Sequence, residues 1–167
     1  MKLDLRELIE AESGAVGFDC TLDAERLAFP ALVRFQAPPA AHGRVVNSAG
    51  ALSLRGEISC SAVCICDRCM SEYDFFKTNE LDVPLAAELE DEENPDIFLL
   101  DGDTLELDEV LETCFILDMD MKFLCREDCK GLCPQCGANL NLGPCACRAD
   151  LDPRMAVLGQ LLDTEDE

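Results

Sequence analysis

The chain has no tryptophan, a single tyrosine and a single histidine in 167 residues. One histidine leaves little room for acid–base catalysis. A Cys–His or Ser–His–Asp enzyme would have to use His42, which lies in a Pro/Ala stretch beside Gly43. No Gly-x-Ser-x-Gly nucleophile turn occurs, and no glycine loop of the phosphate-cradling kind. These absences predict a protein that is not an enzyme and takes no small-molecule substrate. No apolar run approaches the roughly 18 residues of a membrane span. From Met1 to Glu7 charges break every apolar pair, so no export signal and no membrane role are expected. Positive charge is scarce: 13 Lys and Arg stand against 35 Asp and Glu, for a net charge of −22. Such a surface cannot clamp nucleic acid along its whole length, because phosphate binding needs clustered cations. It suits a basic protein partner, and it equally suits plain solubility. The acid is densest between Glu80 and Asp120, a stretch with 16 Asp and Glu and no Lys or Arg.

What the chain has in excess is cysteine, 12 in all, six of them between Leu124 and Arg148. With no export signal expected, a reducing cytoplasm follows as the expectation, where thiols are more often metal ligands than disulfides. Cys133-Pro-Gln-Cys136-Gly has the form of a zinc knuckle. Two thiolates three positions apart reach one ion only if the backbone turns tightly. Pro134 presets φ after the first ligand, and Gly137 accepts the left-handed conformation after the second. The other half of a tetrahedral site is expected from Cys145-Ala-Cys147, since residues i and i+2 of an extended segment point the same way. The eight residues between these pairs include Gly137, Asn139, Asn141, Gly143 and Pro144, which are turn formers. Cys125 and Cys129 are a competing pair, able to replace Cys145 and Cys147 or to join another site. Six thiols are two too many for one ion, and spacing leaves the choice open. Cys66-Asp-Arg-Cys69 is read first as a tight β-turn with structural thiols. Its alternatives are a redox pair, although no βαβ pattern surrounds it, and a half-site completed by Cys125 and Cys129. Cys20, Cys60, Cys64 and Cys114 fall on apolar periods and are read as small core residues. Lys122, Arg126, Lys130 and Arg148 surround the cysteine-rich stretch and would offset the charge of about 2− on a four-thiolate zinc centre.

The rest reads as α+β: an antiparallel β meander or partial barrel with two short helices and a C-terminal zinc-knuckle module. The expected divisions are a β-rich body over 1–121, a cysteine module over 122–150 and a C-terminal helix over 151–163 that docks on the body. Leu3, Leu5, Leu8 and Ile9 suggest a short strand and a helical turn, with a chain reversal at Ser13-Gly14. Strands are expected at Phe18–Leu22 and Ala31–Phe35, then a loop over Gln36–Gly43. The clearest period runs from Ala51 to Cys66, where Leu52, Leu54, Ile58, Cys60, Ala62 and Cys64 share one parity. Val45 and Val46 with Asn47-Ser-Ala-Gly50 supply the preceding strand and turn of a hairpin. Tyr73, Phe75 and Phe76, then Leu81, Val83 and Leu85, continue the meander. Glu88–Pro95 reads as a solvated acidic loop and Ile97–Leu100 as a short strand. Asp108 opens a helix to about Asp118. Asp152-Pro153 caps the last helix, with Met155, Leu158, Leu161 and Leu162 on one face.

A wider pattern then emerges. Cys66-x-Arg68-Cys69 closes a long strand, and Asp96-Ile97 and Leu107-Asp108 follow. Leu124-Cys125-x-x-Asp128-Cys129-Lys130-Gly131-Leu132-Cys133-Pro134-x-Cys136-Gly137-x-Asn139-Leu140-Asn141 comes next, then Cys145-x-Cys147, Asp152-Pro153-Arg154 and Ala156-Val157-Leu158. This resembles the YceD family, the large ribosomal RNA subunit accumulation proteins, in the cysteine-rich form common in Gram-positive bacteria. The resemblance covers nearly the whole chain and is most specific from Cys125 to Leu158. It implies a non-enzymatic ribosome-biogenesis factor that supports 23S ribosomal RNA accumulation and large-subunit assembly. Its expected partner is a ribosomal protein or a pre-ribosomal particle. Two other classes stand beside it: a zinc-stabilised protein–protein adaptor, and a thiol redox or metal-handling protein.

Overall fold

A computed structural model of the chain describes residues 1–11, 13–87 and 97–147. The expected acidic loop at Glu88–Pro95 and the expected helix over 151–163 lie outside the described residues, as does Arg148. The fold is α+β. Its centre is an open, five-stranded, mostly antiparallel sheet, and two helices and a cysteine-rich segment pack around it.

The chain begins with strand β1 (Lys2–Asp4) and helix α1 (Arg6–Glu10). Strands β2 (Ser13–Thr21), β3 (Leu32–Ser48), β4 (Ala51–Ile65) and β5 (Glu72–Ala86) follow as neighbours in the sheet. Strand β6 (Phe98–Leu99) adds to β5 in parallel, while β7 (Thr104–Glu106) returns to pair with β1. Helix α2 (Leu107–Leu117) completes the body.

The two-residue period decides which face is buried. Leu54, Ile58, Ala62 and Cys64 of β4 and Phe75, Leu81, Val83 and Leu85 of β5 point inward. They meet Leu5 and Leu8 from the first helical turn, Val110, Leu111 and Phe115 from α2, and Phe123. The β3–β4 hairpin closes on Ala49 and Gly50, with φ of 54° and 89°. A two-residue turn with left-handed dihedrals matches the twist of the strands it joins. Asn47 secures that hairpin from inside. Its buried amide donates to the Leu8 and Ala11 carbonyls at 2.8 and 2.9 Å, and its Oδ1 accepts from Gly50 N–H at 2.9 Å.

Two expectations are corrected. Gln36–Gly43 is not a loop but the middle of the 17-residue strand β3. Pro38 and Pro39 are accommodated because the pairing with β4 slips there, from Ala37↔Ser61 to Ala40↔Ser59. Such a bulge removes the need for the ladder donors that proline lacks. The Pro39 carbonyl then accepts from Leu22 N–H at 2.8 Å. Ser13-Gly14 is likewise strand and not a turn, with Gly14 paired to Asn47. A Cβ on Gly14 would meet Leu8 Cδ1 at 3.0 Å, so glycine there serves close packing of α1 on the strand.

Five phenylalanines build the end of the core nearest the cysteine-rich segment. Phe29 stacks on Phe123 with centroids 5.1 Å apart, and Phe75 meets Phe123 edge-on at 5.4 Å. Phe35 and Phe115 complete the group. Phe123 therefore plants the start of the cysteine-rich segment in the body.

Candidate metal centres

Two groups of four cysteines emerge from this arrangement. Cys66 and Cys69 turn the corner between β4 and β5, and Cys125 and Cys129 come from the segment after Phe123. All four sulfurs lie within 4.8 Å of one another. Cys133, Cys136, Cys145 and Cys147 form a second group of the same compactness. Each group can hold one metal ion.

The geometry of the first group is informative. Cys66 Sγ and Cys129 Sγ are 3.8 Å apart, as are Cys69 Sγ and Cys125 Sγ. A disulfide needs about 2.05 Å, so neither pair is oxidised. A tetrahedron with zinc–sulfur arms of about 2.3 Å has edges of about 3.8 Å. The donor set and the edge length both fit a four-thiolate ion.

The local folds explain the positions. After Cys136, Gly137 takes φ 72°, as the knuckle spacing predicts. After Cys69 the same position is filled by Met70 at φ 58°, a left-handed residue without glycine's freedom. Asp67 docks the two chain segments together: its N–H donates to the Phe123 carbonyl at 2.8 Å, and its Oδ2 accepts from Phe123 N–H at 2.7 Å. Arg68 donates to the carbonyls of Cys129 and Glu127 at 2.9 and 3.3 Å, and its own carbonyl accepts from Leu132 N–H at 3.1 Å.

The first tetrad is the more buried, and the second is partly open, with Cys133 buried and Cys145 half-buried. Cys66, Cys69 and Cys129 are buried and Cys125 is half-buried, whereas Cys136 and Cys147 are exposed. Burial opposes ionisation of Cys66, but backbone N–H groups of Cys125, Cys69 and Arg68 outweigh it and bring the thiol down to about 6. Burial, then the neighbouring thiols of Cys129, Cys66 and Cys69, push Cys125 up to about 12. The second tetrad repeats this split. The N–H groups of Cys136 and Gln135 bring Cys133 down to about 6, and the Cys136 thiol, burial and Cys133 push Cys147 up to about 12. Cys66 and Cys133 ionise easily, with Cys69 also lowered by Ser71, while Cys125 and Cys147 resist, because burial and hydrogen bonds to neighbouring sulfurs favour the thiol and a second negative charge would sit beside the first. A cation among the sulfurs removes that resistance.

Proton counting follows. Zinc uptake at about pH 7.5 should release fewer than four protons per ion, since Cys66 and Cys133 are already thiolates. As pH falls through about 6, those two sulfurs bind protons, release per ion rises toward four, and affinity falls more steeply. Calorimetry in buffers of different ionisation enthalpy measures this, and an affinity independent of pH is the contrary result.

Sequence reasoning grouped Cys133 and Cys136 with Cys145 and Cys147, and the structure brings those four sulfurs together. It preferred structural thiols at Cys66 and Cys69, and the structure sets them beside Cys125 and Cys129, the pairing it ranked lower. The sulfurs of the two Cys-x-x-Cys turns belong to different groups. Cys60 and Cys64 are buried in the core, and Cys20 and Cys114 are half-buried. Burial pushes both Cys60 and Cys64 up to about 11. Arg68 and Asn141 stand in the family pattern and Asp67 does not, and no spacing in the sequence shows that these three brace the first group. His42 lies in β3 with Nε2 3.4 Å from Glu57. Among the described residues no helix is long and apolar enough to cross a membrane.

An α+β body carrying two four-cysteine clusters defines a class of thiol-rich protein able to bind metal. The particular family follows from comparison with known proteins. The family model described as large ribosomal RNA subunit accumulation protein YceD matches residues 54–162, and the chain belongs to this family. The chain is also similar to uncharacterised proteins of Mycobacterium bovis and Mycobacterium tuberculosis. Each is 28% identical over 128 residues, which cover 74% of this chain and 62% of the relative. It is similar too to the uncharacterised protein YlbN of Bacillus subtilis, 23% identical across 100% of this chain and 99% of that protein. No solved structure matches the chain.

Proposed function

We propose that this chain is a zinc-stabilised, non-enzymatic factor for assembly of the large ribosomal subunit, working in the cytoplasm to support 23S ribosomal RNA accumulation. The family's description as large ribosomal RNA subunit accumulation proteins supplies the ribosomal context. The observation that carries the non-enzymatic reading is the completeness of both sulfur tetrads. Four thiolates close a zinc ion, whereas a catalytic zinc keeps one position open for water or substrate. On this reading Cys66, Cys69, Cys125 and Cys129 hold one Zn2+, and Cys133, Cys136, Cys145 and Cys147 hold another.

The charge distribution suits two kinds of contact. The acid-rich stretch from Glu80 to Asp120 offers a field for a basic ribosomal protein. Arg126 and Lys130, exposed beside the sulfur groups, are placed for local contact with RNA.

Affinity capture of the tagged full chain at moderate salt tests the proposal. Recovery of large-subunit proteins or pre-ribosomal RNA is expected, with a fall in 23S ribosomal RNA on depletion. Normal ribosomal RNA after depletion, with no ribosomal component captured, refutes the ribosomal role and leaves a zinc-stabilised adaptor. A fast-reacting thiol pair at Cys66 and Cys69 that cycles through a disulfide points instead to redox work.

A further inference from the structure

Asn141 stands in the loop that joins the two sulfur pairs of the exposed tetrad, yet its side chain serves the buried one. Its Nδ2 donates to Cys129 Sγ at 3.3 Å. Its Oδ1 accepts from Arg126 Nη2 at 2.7 Å and from Lys130 N–H at 2.8 Å. Its own N–H donates to Asn139 Oδ1 at 3.0 Å. Asn139 in turn donates to Ser71 Oγ at 3.2 Å, two residues beyond Cys69. The loop between Cys136 and Cys145 thus reaches both halves of the buried tetrad.

We propose that Asn141 couples the two centres: an ion gripped by Cys133, Cys136, Cys145 and Cys147 fixes this loop, and the fixed loop tightens the hold of the buried tetrad on its own ion. The inference rests on the two-centre reading above. Its physical basis has two parts. The first is entropic. Few backbone bonds anchor this loop among the described residues: Gly137 N–H to Cys133, Cys133 N–H to Ala138, Leu140 N–H to Gly131 and Leu142 N–H to Asn139. Ordering such a segment costs conformational freedom. An ion that crosslinks Cys133 and Cys136 to Cys145 and Cys147 meets that cost once, and Asn141 is then delivered to Cys129 already ordered. The second is electrostatic. An N–H donated to a thiolate stabilises the ionised sulfur against protonation, which is the form that binds metal, and fixes its direction, at the cost of some electron donation. The same contact lays the loop over Cys129. Linkage requires the reverse effect as well, so the buried ion tightens the exposed one by the same factor.

The order of loss follows from exposure. Cys136 and Cys147 face solvent, while Cys66 and Cys129 do not. A chelator reaches the exposed ion first, and its removal frees the loop and loosens the second.

Exchange of isotope-labelled zinc from the full chain into excess unlabelled zinc, buffered so that both tetrads stay filled, tests this. Wild type should release two ions in two phases, fast from the exposed tetrad and slow from the buried one. Asn141→Ala should still carry two ions, but its slow phase should quicken by about 10- to 100-fold, the usual effect of losing a partner of a metal ligand. Asn141→Asp keeps the acceptor oxygen and loses the donor, so it should release at least as fast as Asn141→Ala. Cys145→Ser should carry one ion that leaves as quickly as the slow ion of Asn141→Ala, and combining the two changes should add little. In cobalt-substituted Asn141→Ala the thiolate charge-transfer band should move to longer wavelength, because a sulfur without its N–H donor is the richer electron source. Slow release at the wild-type rate in both Asn141 variants, or from Cys145→Ser, overturns the coupling. A wild-type chain that carries no zinc overturns the two-centre reading itself, so the two failures are distinguishable.

Discussion

Cys66→Ser should lower the zinc content of the purified chain from about two ions to about one and produce the largest stability loss of any single thiol change. Structural zinc contributes about 10–16 kcal/mol of apparent binding energy in small zinc-finger peptides. A whole domain is usually stable by only about 5–15 kcal/mol. Cys66 and Cys69 lie at the corner of the sheet, and their partners Cys125 and Cys129 begin the cysteine-rich segment. Without the ion, what holds that segment to the sheet among the described residues is the Asp67–Phe123 bonds, the Arg68 contacts, the Asn139–Ser71 bond and the Phe123 ring. A fall in melting temperature of about 10 °C or more is expected by thermal denaturation. Cys136→Ser should also lose about one ion but cost less, since its tetrad fastens only the loop from 133 to 147. Cys64→Ser lies outside both groups and should leave zinc content unchanged. Undiminished zinc in Cys66→Ser removes the corner from the site.

Gly56→Ala should be nearly as damaging, for a reason unrelated to metal. Gly43 and Gly56 sit opposite each other on β3 and β4. A Cβ on Gly56 would lie 2.2 Å from the His42 carbonyl oxygen and 2.7 Å from Gly43 Cα. On Gly43 it would lie 2.3 Å from the Arg55 carbonyl oxygen, with Phe18 Cζ at 2.9 Å. These obstacles are mainly backbone, so no rotamer change relieves them. Overpacking of this kind costs about 1–3 kcal/mol, occasionally more, and the upper end is expected here. Gly17→Ala is the control, since its Cβ would meet the Gly43 carbonyl oxygen at an ordinary 3.7 Å. Equal melting temperatures for the two variants contradict the reading of this crossing.

The difference between Gly56 and Gly17 shows where a sequence stops being legible. The alternation from Leu52 to Cys64 announces β4 because a half-buried strand must repeat every two residues, and α2 was placed within one residue at each end for a similar reason. The middle of β3 was illegible because Pro38 and Pro39 normally forbid a ladder. Only the slipped register, a property of two strands together, makes them tolerable. The short strand expected at Ile97–Leu100 is present as β6, but its parallel pairing with β5 is not legible, since two residues carry no period that selects a partner. At the metal centres, Cys133 to Cys147 was readable as a local constellation fixed by turn residues. The group built on Cys66 was not, because its halves are 63 positions apart in the Cys66–Cys129 pair and meet only through the sheet. Asn139 and Asn141 registered as turn formers, and nothing in a one-dimensional pattern shows that one of them reaches across to Cys129.

The distance between Cys69 and Cys125 has a consequence for synthesis. The two sulfurs are 56 positions apart. At about 5–20 residues per second, the corner of the sheet leaves the ribosome some 3–11 s before its partners exist. For that interval the long hairpins must stand without their clasp, and the clasp can close only when the chain has emerged through Cys129. An ion at this corner therefore acts as a late lock, one that seals a finished sheet and rejects a truncated one.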